Sequence, residues 1–208
     1  MVSVRDLKKA LGGEKNLEGA NLKNADLRGA NLENVNLEGA KLHNSDLRGA
    51  NLKHANLRGA ILNGTGLRNA NLEIARLTNA DLKDADLADA NLKTAGLSDA
   101  VLYGADLRNA NLESTFSIRA DFRQADLRGA NLKHANLLEA ILRFADLEDA
   151  NLRGANLRNA DFTGANLRNA DLQVINIRRA GFRRADLRNA NLEGVDLELA
   201  DDVNLAKL

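Results

Sequence analysis

The sequence predicts an all-β fold, a parallel β-helix with four sides in each coil, and three observations indicate it. Leu, Phe or Ile recurs at every fifth position from Leu17 to Leu197, and Ser117 is the single exception among 37 positions. The residue two places earlier is alanine in 30 of these 37 repeats, and the residue between the two is Asn or Asp in 28. Finally, outward residue types recur at a spacing of 20. The chain therefore repeats a five-residue unit without insertion.

One five-residue unit predicts one short extended segment and one turn. A period of five fits neither the α-helical nor the simple strand period. A small inward residue, a polar outward residue and a large inward residue follow the alternation of a strand. Gly, Asn or Asp stands two places after the large residue in 24 of the 37 units, and these residues favour the positive φ of a tight turn. We expect alanine and leucine to fill the interior.

The spacing of 20 predicts four units per coil, because residues 20 apart would then be stacked neighbours. Stacked asparagines can form hydrogen-bonded ladders, and stacked opposite charges attract each other. About nine coils at roughly 4.8 Å each would give a rod of about 45 Å. Three outward columns illustrate the pattern: Asp26, Asp46, Asp86, Asp106, Asp126, Asp146 and Asp186; Arg28, Arg48, Arg68, Arg108, Arg128, Arg168 and Arg188; Asn31, Asn51, Asn71, Asn91, Asn111, Asn131, Asn151 and Asn191.

The repeated unit, A-[N/D]-L-x-x, resembles the signature of the pentapeptide repeat family. The run ADLRGANL from Ala25 to Leu32 matches that signature closely, and the resemblance covers residues 15–200. The family implies a right-handed quadrilateral parallel β-helix, a solenoid, which agrees with four units per coil. Long arrays of this kind with a short amphipathic N-terminal segment are similar to those abundant in cyanobacteria.

Both ends of a solenoid need a cap, because its interior and strand edges are otherwise exposed. We predict an N-terminal helical cap within residues 1–14, with a helix over 3–11 that begins at Ser3 and Asp6 as a capping box. Residues 15–200 form the β-helix, and residues 201–208 form a C-terminal capping tail. The apolar residues expected to cover the two ends are Val4, Leu7 and Leu11 at the first and Val203, Leu205 and Leu208 at the second. The alternative is that the C-terminal end pairs with another copy; we expect a monomer over an end-to-end homodimer.

Composition and spacing argue against an enzyme, a cofactor or a metal site. The chain has no cysteine, so neither a disulfide nor a thiolate metal site is possible. His54 and His134 share a column but would lie on the order of 19 Å apart, too far to bind one metal ion. The acidic group Asp81, Asp84, Asp86 and Asp89 lacks the spacing of a calcium loop. No apolar run approaches the length of a membrane span, and we expect a cytoplasmic protein.

Departures from the repeat identify a candidate partner surface. Apolar side chains ringed by arginine are typical of protein-binding surfaces, although isolated exposed apolar residues can also arise by drift of a repeat. At Ser117 we expect a local bulge that turns Phe116 inward in place of leucine; the alternative leaves Phe116 outside for a partner. The surface comprises Tyr103, Phe116, Ile118, Leu138, Ile141, Phe144, Arg119, Arg123, Arg143, Arg158, Arg178, Arg179, Arg183 and Arg184.

Three functions remain open from the sequence. The first is a rigid, non-catalytic scaffold for a protein partner, with a regulatory role. The second is a DNA mimic that modulates DNA gyrase, as some members of the family do, but mimicry needs an anionic surface and this chain has 29 basic and 29 acidic residues. The third is nucleic-acid binding through the arginines near the C-terminus. A separate column, from Arg28 to Arg188, is interpreted as a ladder of ion pairs and not as a track for phosphates, because an aspartate stands two residues before most of these arginines.

Overall fold

Parallel pairing between residues 20 apart organises the chain. The computed structural model describes residues 3–203 and 206–207. Single-residue parallel bridges join residues 20 apart from Asn16 and Asn36 up to Gly181 and Asp201. No strand longer than one bridged residue forms in this part of the chain, because a turn follows every bridge. The predicted register of 20 residues per coil is confirmed.

The hydrogen bonds around Leu47 show how one unit is built. The Leu47 N–H donates to the carbonyl of Gly66 in the next coil at 2.7 Å, and the Gly49 N–H donates to the carbonyl of Arg68 at 2.9 Å. The Ala50 N–H donates back to the Leu47 carbonyl at 2.9 Å and closes a turn. Gly49 has a φ of 67°, as the third residue of a type II turn requires. Each unit therefore contains one tight turn and is hydrogen-bonded to the next coil.

Four units complete a coil, and we number its sides by their inward large residues. The first side carries positions 17, 37 and 57, the second 22, 42 and 62, the third 27, 47 and 67, and the fourth 32, 52 and 72, each continuing at intervals of 20. We call the residue before each of these the bridged residue, the one after it the outward residue, and the next the corner residue. Corner residues from Gly19 to Gly194 have a positive φ.

The interior is a continuous column of buried leucine and alanine side chains. Most of the inward leucines have no exposed surface. On the second side the column contains Phe122, Phe162 and Phe182, and the rings of Phe162 and Phe182 stack with centroids 5.2 Å apart. Burying one such side chain stabilises the fold by roughly 1.5–3 kcal/mol. Each coil thus depends on its immediate neighbours, as in other solenoids.

The expected bulge that turns Phe116 inward is wrong. Ser117 occupies the inward position with no exposed surface, while Phe116 is 56% exposed. Phe116 bridges both Gly96 and Asn136, so the spacing of 20 is unbroken. The Ser117 hydroxyl lies 3.2 Å from Thr115 Oγ1, which donates to the Leu112 carbonyl at 3.0 Å. Because the buried hydroxyls are satisfied inside the coil, the backbone has no need to bulge.

A short N-terminal helix, α1 (Val4–Leu11), stands at the first coil. The Ser3 hydroxyl accepts from the Asp6 N–H at 3.3 Å and caps the helix. The Asp6 carboxylate accepts from the Asn21 N–H at 2.9 Å, and the Ser3 N–H donates to the Asn21 carbonyl at 3.0 Å. Ser3 and Asp6 therefore bind the helix to the edge of the coil.

The apolar face expected for this helix is only partly formed. Leu7 packs against the core and Ala10 is buried, but Val4 and Leu11 are exposed. The expectation that Val4, Leu7 and Leu11 jointly cover the coil is therefore wrong. The hydrogen bonds of Ser3 and Asp6 to the first coil fix an orientation in which Leu7 and Ala10 face the coil.

The C-terminal segment continues the parallel pairing with the coil that precedes it. A 3-10 helix, Leu197–Leu199, follows the last full repeat. Asp201 then bridges Gly181, and Lys207 bridges Asp186, one residue beyond the spacing of 20. Val203 is half-buried, whereas Leu205 and Leu208, predicted to help cover the end, lie outside the described residues. Neither helix in the described ranges has the length and apolar character that a membrane crossing requires.

Candidate functional site

The register places every member of the candidate partner surface on the first and second sides. Tyr103, at its lower end, and Arg184, at its upper end, are about four coils apart, roughly 19 Å along the axis. Successive coils lie directly above one another, so residues separated by up to 81 positions in the chain share one face. No long loop interrupts this face, and its shape is set by the repeated turns.

Two aromatic side chains project furthest from the apolar part of this surface. Phe116 is a bridged residue on the first side, and Phe144 is a corner residue of the second side that is 63% exposed. Ile118 and Leu138 stack one coil apart on the first side and are half-buried, as is Ile141 on the second. The structure thus brings these five residues into two adjacent coils as a shallow apolar area.

Tyr103 is tied into the surface more firmly than the other apolar members. Its hydroxyl donates to Oε1 of Gln124 at 2.7 Å. Lys83 Nζ lies 5.6 Å and Arg123 Cζ 5.7 Å from the ring centroid, one on the coil below and one on the coil above. These cation–π contacts hold the ring against the side of the coil. Tyr103 therefore stabilises the outside of the rod while its side chain stays partly exposed.

The arginines of the surface fall into two groups. Arg119 binds Asp99 with two hydrogen bonds, at 2.8 and 2.9 Å. Arg123 binds Asp121 in the same two-pronged way, and Arg143 pairs with Asp161 in the next coil. These three arginines are neutralised by their neighbours. Within the described residues no carboxylate pairs with the members of the second group, Arg158, Arg178, Arg179, Arg183 and Arg184.

The arginine column of the third side is neutralised, as predicted from the spacing. Arg28 binds Asp26 at 2.6 Å and also approaches Asp46 of the next coil at 3.7 Å. The hydrogen bonds from Arg28 lower the pKa of Asp26 from 3.8 to about 2. Arg188 has the same effect on Asp186, whose pKa also falls to about 2. The carboxylates are therefore held ionised, and the column is a ladder of ion pairs.

Histidines and acidic residues in the described part of the chain do not assemble into a metal-binding group. Among the described residues no three His, Asp or Glu side chains lie close enough together to hold a metal ion. His54 and His134 are exposed corner residues. His43 Nδ1 is buried without a hydrogen-bond partner in the described ranges, and no carboxylate or thiol is hydrogen-bonded to it.

Sequence reasoning missed two exposed apolar corner residues. Val174 is 67% exposed and has a φ of 57°, and Ile74 is exposed with a φ of 60°. A β-branched residue in the left-handed region is strained, because its side chain crowds the backbone. The available signal was an apolar residue where the repeat favours Gly, Asn or Asp. Val174 lies at the corner between the fourth and first sides, next to the unit that carries Arg178.

Comparison with known families finds one match. The description "Pentapeptide repeats" applies in eight copies over residues 16–53, 50–73, 75–113, 118–154, 140–180 and 175–201. No curated protein matches this chain.

Several solved structures are similar to the chain. HetL, a pentapeptide repeat protein involved in heterocyst differentiation regulation from the cyanobacterium Nostoc sp. strain PCC 7120, is 35% identical. That match covers 100% of this chain and 95% of HetL, with a TM-score of 0.63. Rfr23 from the cyanobacterium Cyanothece 51142 is 30% identical over 56% of this chain and 63% of its own, with a TM-score of 0.21. QnrB1, a plasmid-mediated fluoroquinolone resistance protein, is 23% identical over 82% of this chain and 84% of its own, with a TM-score of 0.44.

Proposed function

This chain belongs to the pentapeptide repeat family, whose fold is the right-handed quadrilateral β-helix, and we propose that it is a non-catalytic scaffold for protein–protein interaction. In this proposal a rigid rod of about nine coils presents the candidate partner surface to one cytoplasmic protein. The chain acts as a monomer, and its role is regulatory. A regulatory role is supported by HetL, which is similar over the whole chain and is described as involved in the regulation of heterocyst differentiation.

Phe144 is the observation that carries the proposal. It is a bulky residue in the left-handed region, with a φ of 58°, at a corner where glycine or asparagine would fit without strain. Its ring is also largely exposed, so the side chain contributes little to the core. A residue that strains the backbone and exposes an aromatic ring stabilises the rod less than glycine or asparagine would at the same corner. Such a local conflict is expected where a side chain serves binding, and at Phe144 it stands beside four other outward apolar side chains, whereas Ile74 has no place in the apolar area.

The shape of the rod also favours binding over catalysis. Backbone hydrogen bonds of 2.6–3.3 Å join consecutive coils along the described chain, so the sides are held rigid. A preorganised flat surface loses little conformational entropy when a partner docks. Chemistry, in contrast, needs a concave site with a placed base or metal ion. The first and second sides offer such a flat surface, and among the described residues no three His, Asp or Glu side chains lie close enough together to hold a metal ion.

A DNA-mimic function is not favoured by the charge of the surface. Mimicry of duplex DNA needs a continuous anionic face, and the net charge of this chain is zero. The third side, which carries the most regular charged column, alternates Asp and Arg in ion pairs. Unimpaired supercoiling by DNA gyrase in the presence of the protein would agree with this view.

Affinity capture from the native cell extract tests the scaffold function. We expect the wild-type chain to capture a protein that the double variant Leu138→Asp/Phe144→Asp does not capture. Charges at these positions would disrupt apolar contact without touching the buried column, because both side chains point outward. Equal capture by the double variant would overturn the proposed surface.

Ile74→Asp is a matched control for this experiment. Ile74 is an exposed apolar corner residue with nearly the same backbone strain as Phe144, but it lies more than two coils below the apolar area. We expect the control to capture the partner as the wild type does. Circular dichroism of all three proteins establishes that the coil is intact.

A further inference from the structure

Positive charge is concentrated on the face that holds the apolar area. Between residues 115 and 194, the first and second sides carry eight arginines and only three carboxylates, Asp121, Glu139 and Asp161. The third and fourth sides of the same coils carry five basic and seven acidic residues. Although the net charge of the whole chain is zero, the charge is distributed unevenly around the axis of the rod, with an excess of positive charge on the first and second sides.

Five of the eight arginines have guanidinium groups without a carboxylate partner in the described chain. Arg178, Arg179, Arg183 and Arg184 belong to one coil and surround the corner between the first and second sides, and Arg158 lies below Arg178. We call these five residues the arginine cluster. All five are exposed.

Local sequence explains why the cluster is unpaired. On the third side, an aspartate at the bridged position binds the arginine two residues later, as Asp186 binds Arg188. In the cluster the bridged position holds Asn156, Asn176 or Gly181, none of which carries a charge. The cluster is therefore unpaired because these bridged positions, unlike those of the third side, carry no aspartate.

An acidic segment limits the cluster at the C-terminal end of the rod. Asp201 occupies the same position relative to Arg183 as Asp161 does relative to Arg143, but the described residues contain no Asp201–Arg183 ion pair. The carboxylates of this segment are Asp196, Glu198, Asp201 and Asp202. A ligand attracted by the cluster must therefore extend away from this end, toward Leu138 and Phe144.

We propose that the partner docks through an acidic polypeptide segment, whose carboxylates pair with the arginine cluster and whose apolar side chains contact Leu138 and Phe144. This inference rests on the proposed function and names the chemistry of the partner. Guanidinium groups bind carboxylates with two parallel hydrogen bonds, which is the geometry that Arg119 and Arg123 already show with Asp99 and Asp121. The partner supplies the carboxylates that the repeat lacks at positions 156, 176 and 181.

A polypeptide fits this face better than a nucleic acid. A phosphate backbone needs a continuous cationic track, whereas Glu139 and Asp161 interrupt the face below the cluster and the acidic segment closes it above. The apolar area lies where a phosphate chain would have to continue. An acidic peptide with apolar residues can match both parts of the face.

Fluorescence anisotropy with labelled peptides tests this inference. The probes are a 15-residue glutamate–leucine peptide, a lysine–leucine peptide of the same length and a 15-nucleotide single-stranded DNA. We expect the wild-type protein to bind the acidic peptide at least tenfold more tightly than either other probe. Raising the salt concentration should weaken this binding, because exposed ion pairs are screened. Tighter binding of the DNA, or equal binding of the two peptides, would overturn the proposal.

Matched variants locate the binding. Arg178→Gln/Arg179→Gln/Arg183→Gln/Arg184→Gln should weaken binding of the acidic peptide at least tenfold, and Asp201→Asn/Asp202→Asn should strengthen it. Glutamine is tolerated at equivalent outward and corner positions, as Gln173 and Gln124 show. The control Arg28→Gln/Arg48→Gln/Arg108→Gln/Arg128→Gln removes the same charge from paired arginines and should leave binding within twofold. An equal loss in the control would mean that net charge alone attracts the peptide.

The same arginine variants separate this inference from the proposed function. If native-extract capture needs Leu138 and Phe144 but survives the loss of the cluster, the scaffold function stands and the acidic partner is rejected. If the protein binds the acidic peptide through the cluster but captures no protein through Leu138 and Phe144, the scaffold surface is rejected instead.

Discussion

The ring of Phe144 lies over the backbone of Gly164, one coil further along the second side. A Cβ added to Gly164 would be 2.7 Å from both Cδ1 and Cε1 of that ring, closer than non-bonded carbon atoms approach each other. Gly164 therefore leaves the space into which the exposed ring leans. The side chain that carries the proposed function thus needs a residue without a side chain 20 positions away.

Gly164→Ala should displace the ring of Phe144. The new methyl group would stand only 2.7 Å from Cδ1 and Cε1 and push the ring away, so we expect the aromatic NMR signals of Phe144 to shift. The left-handed backbone at position 164 adds a loss of about 1 kcal/mol in the free energy of unfolding.

Gly59→Ala is the control, because Gly59 has a φ of 60° and nothing lies within 4 Å of its added Cβ. The control should lose similar stability without moving the Phe144 signals. Unchanged signals in Gly164→Ala would contradict the contact.

Replacing the two buried hydroxyl residues near Phe116 should stabilise the rod. Ser117→Leu/Thr115→Ala restores the inward pattern found in most of the other units, and the added leucine side chain should raise the free energy of unfolding by about 1–3 kcal/mol. Denaturant titration followed by circular dichroism measures this free energy.

Ser45→Ala is the control, because the Leu42 carbonyl keeps its hydrogen bonds from the Ser45 N–H and the Thr65 hydroxyl. That variant should change stability by less than about 1 kcal/mol. A less stable double variant would show that the coil at Ser117 is too narrow for leucine.

Acid should destabilise the protein through the aspartates of the third side. The folded-state pKa values of Asp26 and Asp186 are about 2, below the ordinary value of 3.8, because Arg28 and Arg188 hold the carboxylates ionised. Their contribution to stability is therefore fully present above pH 4 and is lost as the pH falls from about 4 toward 2. The melting temperature measured between pH 7 and pH 2 should fall mainly in that window.

Asp26→Asn/Asp186→Asn supplies the comparison for the acid experiment. Asparagine can still accept the backbone N–H of the outward residue, as Asn166 does from Arg168 at 3.2 Å. The double variant should therefore show a smaller fall in melting temperature between pH 4 and pH 2. A wild-type melting temperature that is constant down to pH 2 would contradict the role of these ion pairs.

Asp6→Ala should loosen the first coil without unfolding the rod. The variant loses the bond from the Asn21 N–H to the Asp6 carboxylate, worth about 1 kcal/mol. In a solenoid such a loss acts locally, so hydrogen exchange should accelerate at Asn21 while central amides such as Leu107 stay protected. Glu14→Ala removes the exposed Lys9–Glu14 ion pair and should leave Asn21 unchanged. Equal protection of Asn21 in both variants would mean that the helix does not secure this edge.

The unbroken five-residue period by itself determined most of the fold. Alternation fixed which residues point inward, and the spacing of 20 fixed which residues stack, so the placement of Leu138 beneath Arg158 followed from the sequence. Because each unit contacts only its neighbours, a local pattern repeated without insertion is sufficient to define the whole array. The two faces that hold the candidate partner surface were predictable for the same reason.

Only the tertiary structure decided the details that depend on contacts between coils. It showed Phe116 outside, because hydrogen bonds of Ser117 and Thr115 satisfied the buried hydroxyls and the coil did not bulge. It turned Val4 and Leu11 of the N-terminal helix outward, because Ser3 and Asp6 bind the edge at Asn21. It also separated the paired arginines from the arginine cluster. A sequence gives the order of charges along a side, but ion pairs depend on distances between side chains of different coils.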